Sequence, residues 1–117
     1  MRRSILAGLI PLLLLSAAPA SAHAMLDHAE PRVGNSVATA PADVTLWFTQ
    51  KLEQAFSTVT VTNEAGQRVD TGKVRVSGSQ MSVSLRPGGG GTYHVKWHVL
   101  SVDAHTTEGN FTFRVGQ

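Results

Sequence analysis

Apolar side chains in this chain recur at every second position, and no segment sustains a 3.6-residue period over three turns. Val44, Leu46 and Phe48 alternate with Thr45, Trp47 and Thr49; Val59 and Val61 lie between threonines; Val74 and Val76 flank Arg75. Met81, Val83 and Leu85 alternate with Ser82 and Ser84. Tyr93, Val95, Trp97 and Val99 share one face opposite His94, Lys96 and His98, and Phe111, Phe113 and Val115 share another. This alternation predicts antiparallel strands with one face in a core and one in water. Turn residues punctuate the runs at Asn63 to Gly66, at Ser77-Gly78-Ser79 and at Pro87 followed by Gly88 to Gly91. The glycine tetrad reads as a hairpin loop, since neither a lysine nor a helix start follows it to make a phosphate cradle. Short strands at this spacing predict an all-β fold, an immunoglobulin-like β-sandwich or Greek-key barrel of about seven strands. Cysteine is absent, so Trp97, Phe111 and Phe113 are expected to supply the bulk that a disulfide would otherwise span.

The N-terminus has a different character. Arg2 and Arg3 precede an apolar run from Ile5 to Leu15, and Ala20-Ser21-Ala22 forms an A-x-A cleavage site. The run contains Pro11 and is far shorter than the ~20 residues that cross a bilayer. Residues 1–22 are therefore expected to be a cleaved secretory signal, and residues 23–117 the mature domain. Removing 22 of 117 residues leaves 95, and Arg2 and Arg3 leave with the signal, so eight basic side chains face eight acidic ones. The formal charge of +2 thus belongs to the leader, and a polybasic nucleic-acid binder is excluded. Absence of cysteine also rules out a lipid-modified N-terminal cysteine.

Cleavage after Ala22 would make His23 the first residue. An N-terminal histidine offers a metal its α-amine and its ring Nδ1, which close a six-membered chelate. An α-amine has a reference pKa of ~7.7 to 8.0, so a metal can displace its proton near neutral pH. Asp103-Ala104-His105 supplies a second feature: in an extended chain residues i and i+2 share a side, about 6 to 7 Å apart, and can converge on one ion. Amine, two imidazoles and one carboxylate suit Cu(II), with zinc as the competitor and the free amine tipping the choice to copper. His94 and His98 are roughly 13 Å apart on a strand and cannot share an ion. His28 is a possible accessory ligand, with an exposed turn near Pro31 the favoured reading. Position 25 is Met25, so an amino-terminal X-X-His motif is excluded. Cu(I) prefers sulfur, and the mature chain has only Met25 and Met81, the latter in register with a strand core.

With these residues the chain resembles the CopC-type periplasmic copper-binding proteins of bacterial copper homeostasis. The match rests on His23 with Leu26 and Pro31, on Leu46-Trp47-Phe48-Thr49, and on Gly91-Thr92-Tyr93-His94-Val95-Lys96-Trp97 continuing through Ser101-Val102-Asp103-Ala104-His105 to Gly109-Asn110-Phe111-Thr112-Phe113. The resemblance implies a seven-stranded immunoglobulin-like barrel with one Cu(II) per chain held by the amine and ring of His23 and the ring of His105, with Asp103 as carboxylate neighbour. It also implies partnership with a CopD-like inner-membrane protein. Relatives often carry an acid just after the Leu-x-Phe strand, where this chain has Gln50, and some carry a methionine-rich segment where this chain has only Met81.

The resulting expectation is a monomeric periplasmic Cu(II) carrier or buffer in copper resistance, neither an enzyme nor inserted in the membrane. A small histidine-brace copper enzyme of the polysaccharide monooxygenase type is the alternative, though so short a chain leaves little room for its broad substrate face. A metal-free adhesion or chaperone sandwich is the third.

Overall fold

The computed structural model describes residues 24–116. The expected signal peptide and His23 lie outside the described residues. The alternating runs form strands β1 (Leu26–Glu30), β2 (Ser36–Val37), β3 (Asp43–Phe48), β4 (Thr58–Thr62), β5 (Asp70–Ser77), β6 (Gln80–Leu85), β7 (Gly91–Leu100) and β8 (Thr106–Val115), with a 3-10 turn at Gln54–Phe56. They make two four-stranded sheets, ordered β1-β3-β6-β5 and β2-β8-β7-β4. Only the short β2–β8 pairing is parallel. The all-β sandwich expected from period-two alternation is what the chain adopts, with β1 and β2 added to the runs visible in the sequence.

Because alternate side chains point to opposite faces, each sheet turns one apolar row inward. Val44, Leu46, Phe48, Met81, Val83 and Leu85 come from one sheet; Val59, Val61, Tyr93, Val95, Trp97, Val99, Phe111, Phe113 and Val115 come from the other. Trp97 meets Phe48 edge-on with ring centroids 5.0 Å apart, and Tyr93 packs against Phe113 at 5.3 Å. The Trp97–Phe48 pair, not a covalent staple, joins sheet to sheet, while Tyr93 and Phe113 are cross-strand neighbours within one sheet; each pair is worth about 0.5 to 1.5 kcal/mol beyond its buried area.

Two expectations are corrected. The segment Gly88 to Gly91 is not a hairpin loop: it carries the chain from β6 in one sheet to β7 in the other. Tyr93 Oη donates to the Gly89 carbonyl at 2.7 Å and pins this crossing. His28 does not lie in a turn but in β1, where its ring stacks on Trp47 at 4.4 Å and its Nδ1 lies 2.7 Å from Asp27 Oδ2. The exposure expected of it is observed, as it is for His94 and His98 on the outer face of β7.

Candidate metal centre

The long hairpin of β7 and β8 is paired from Gly91↔Val115 to Leu100↔Thr106, and Ser101 to His105 close its far end. The Ser101 carbonyl accepts the Ala104 N–H at 2.9 Å, and the Ser101 N–H donates to the His105 carbonyl at 2.9 Å. Ala104 takes a left-handed conformation with φ 73°, which lets so short a turn rejoin the ladder. Asp103 and His105 therefore do not lie along an extended strand, as their i, i+2 spacing suggested. The turn itself brings them together, with His105 Nδ1 3.3 Å from Asp103 Oδ1.

Fully buried Ser101 directs its hydroxyl to the Asp103 carboxylate. That hydrogen bond is the main reason the Asp103 carboxyl is held below the ordinary carboxylate range; partial desolvation opposes it, and His105 adds to it. Asp103 thus stays anionic beside the imidazole. A histidine whose Nδ1 faces a carboxylate coordinates through Nε2, with the carboxylate fixing ring orientation and raising ligand basicity.

The start of the described chain reaches the same end of the sandwich. Ala24 is fully buried, and its carbonyl accepts a hydrogen bond from Thr107 Oγ1 at 2.6 Å, two residues beyond His105. The Met25 N–H donates to Thr49 Oγ1 at 2.9 Å, and the Met25 carbonyl accepts the Thr49 N–H at 2.9 Å. Residues 49–53 pass alongside: the Lys51 carbonyl accepts the Val102 N–H at 3.0 Å, and Glu53 N–H donates to the Leu100 carbonyl at 2.8 Å. Gln50 is half-buried between these contacts. Sequence reasoning missed Thr49 and Thr107, since threonine is an ordinary strand residue and nothing local marks its hydroxyl.

Among the described residues no three His, Cys, Asp or Glu side chains gather as a metal site. The described part of the candidate centre is thus the Asp103–His105 pair; His23, the third residue expected from the sequence, lies outside the described residues. Of the two methionines in the described chain, Met81 is buried in the core and Met25 is exposed.

The described chain is a small cysteine-free β-sandwich domain with a carboxylate–imidazole pair on one hairpin turn. The CopC domain family matches residues 26–116, and the chain belongs to that family. Copper resistance protein C of Xanthomonas campestris pv. juglandis is 34% identical, with 86% of each chain covered. Protein YobA of Escherichia coli is 36% identical over 80% of this chain and 79% of that protein. Copper transport protein CutJ of Bacillus subtilis is 30% identical over 82% of this chain, which spans 18% of that longer protein. Among solved structures, CopC from Methylosinus trichosporium OB3b superimposes with a TM-score of 0.75 at 29% identity, covering 80% of this chain and 94% of that one. PcoC, a methionine-rich copper resistance protein from Escherichia coli, gives 0.71 at 31% identity, covering 80% and 99%. Among the described residues no helix is long and apolar enough to cross a membrane.

Proposed function

We propose that this CopC-family protein is exported to the periplasm, loses residues 1–22, and carries one Cu(II) per chain between the amino-terminal His23 and the His105 imidazole. Asp103 is the carboxylate that orients the His105 ring. Copper is cargo, taken up and passed on without chemical change, and a CopD-like inner-membrane protein is the proposed recipient or donor.

The observation that carries this reading is the anchoring of Ala24 to Thr107, two residues from His105. Ala24, the first described residue, is thus tied to β8 only two positions beyond the residue that bears the imidazole. Amine, two imidazole nitrogens and a nearby carboxylate form a nitrogen-rich set that favours Cu(II), the tightest-binding divalent ion of its row. The sparse sulfur supports the same oxidation state: Met81 is buried among apolar side chains, and Met25 is the one exposed thioether among the described residues.

The test is Cu(II) titration of the exported protein, with its amino-terminal residue established by intact mass. One equivalent is expected, and one extra residue placed before His23 is expected to abolish tight binding by removing the amine–imidazole chelate. Equal affinity with and without the extra residue would overturn the assignment.

A further inference from the structure

We propose that Thr107 and Thr49 are positioning residues for copper capture: their hydroxyls hold the entering chain at Ala24 and Met25, close to the β7–β8 turn that bears Asp103 and His105. The inference rests on the copper reading above and adds to it the device that assembles the site before metal arrives.

Three observations support it. The two hydroxyls come from different sheets, Thr107 from β8 and Thr49 from the residue after β3, so the chain entering β1 is tied to both halves of the sandwich at once. The contacts lie on consecutive residues. Ala24 accepts from Thr107 at 2.6 Å, Met25 donates to Thr49 at 2.9 Å, and the ladder of β1 with β3 begins only at Leu26↔Phe48. Finally, Ala24 is fully buried, so its carbonyl needs a partner, and the Thr107 hydroxyl provides one.

Backbone pairing does not require these hydroxyls. Valine fits a strand as well as threonine does. What the hydroxyls add is restriction of the entering chain. A ligand captured by a site that is competent only part of the time binds with an affinity lowered by the competent fraction, and ordering the site beforehand removes that loss. One net hydrogen bond shifts such an equilibrium by roughly fivefold.

The experiment compares the exported wild type with Thr107→Val, Thr107→Ser, Thr49→Val, the double valine variant and His105→Ala. Cu(II) affinity is measured by competition with a chromophoric chelator, the copper by its electron paramagnetic resonance spectrum, and the metal-free proteins by thermal melting and amide exchange at Met25. Each valine variant is expected to weaken Cu(II) binding about fivefold and the double variant about 25-fold, with a second copper species in the spectrum. Thr107→Ser is expected to restore both affinity and spectrum, and Thr49→Val to speed exchange of the Met25 amide. Valine variants that bind Cu(II) within twofold of wild type, or that lose affinity only in proportion to a lowered melting temperature with no rescue by serine, would overturn the positioning role. Failure of the wild type to take up Cu(II), or a His105→Ala variant that matches it, would instead overturn the copper reading, and the positioning role with it.

Discussion

Asp103→Asn separates two roles for the carboxylate, that of a direct ligand and that of a partner that orients His105. In the folded chain Asp103 Oδ1 lies 3.3 Å from His105 Nδ1 and also accepts the Ser101 hydroxyl. Asparagine keeps an oxygen in the same place, and the Ser101 hydroxyl has a second acceptor in the His105 carbonyl at 3.2 Å. The turn is therefore expected to survive, and what is lost is the negative charge behind the imidazole. Removing an outer partner of a ligating histidine costs about 10- to 100-fold in metal affinity, and a substitution that keeps the hydrogen bond belongs near the lower figure. We expect about a tenfold loss of Cu(II) affinity for Asp103→Asn, against a much larger one for His105→Ala, by competition with a chelator at pH 7. A loss for Asp103→Asn equal to that for His105→Ala would show direct coordination by the carboxylate and refute the orienting role; no loss would show that the carboxylate plays no part.

The acid dependence of the metal-free protein has a fixed sign. Because the folded carboxyl of Asp103 is held below its ordinary value, its contribution to stability is complete above the unfolded value of ~3.9 and is lost as pH falls through the lower folded value. Below about pH 4 the wild type is thus expected to lose more stability with falling pH than Asp103→Asn does. Equal acid slopes for the two proteins would contradict the assignment of the shift.

Copper is expected to leave as pH falls from 8 to 5, since protons compete for amine and imidazole nitrogens; equal affinity at both ends would count against nitrogen ligation. Far from the site, the side chain of Asp70 is fully buried and accepts hydrogen bonds from Val61 N–H at 2.8 Å, Gly72 N–H at 2.9 Å and Arg68 Nε and Nη2, each at 2.7 Å. Burial pushes its carboxyl up, but Arg68 and the two amides outweigh it and hold it below the ordinary value. Asp70→Asn is expected to cost about 3 kcal/mol in denaturant unfolding at pH 7 and to lessen the loss of stability below about pH 4; a cost under about 1 kcal/mol would refute its role as a buried tie. Gly109→Ala would place a methyl 2.5 Å from Trp97 Cζ2 and 2.9 Å from Cε2. The indole must move against Phe48, so we expect a loss of about 1 to 3 kcal/mol with altered tryptophan emission, and an unchanged melting curve would show that the ring has room to yield.

The sequence discloses the sandwich wherever one face of a strand is buried without interruption. Tyr93, Val95, Trp97 and Val99 are buried while His94, Lys96 and His98 are exposed, because a ten-residue strand in the middle of its sheet leaves no choice of face. β1 escapes the same reading: its register shifts between Leu26 and His28, and in Leu26–Glu30 only Ala29 is fully buried. The glycine tetrad announces a change of direction but not its destination, since turn residues say nothing of which sheet the chain enters next.

The candidate site divides along the same line. Asp103 and His105 are conspicuous as residue types, yet their geometry depends on Ala104 at φ 73°, a conformation in which glycine or asparagine would have given warning and alanine does not. The contacts of Thr107 and Thr49 join residues 83 and 24 positions apart, so neither leaves a local pattern. What a strand sequence encodes is which side chains face inward. The meeting of an entering chain with a distant hairpin turn is a product of the closed sandwich: β3 and β8 lie in opposite sheets, and only their packing brings Thr49 and Thr107 to the same two residues. It follows that core substitutions which shift one sheet against the other, such as Gly109→Ala at the Trp97–Phe48 contact, should weaken copper capture without touching a ligand.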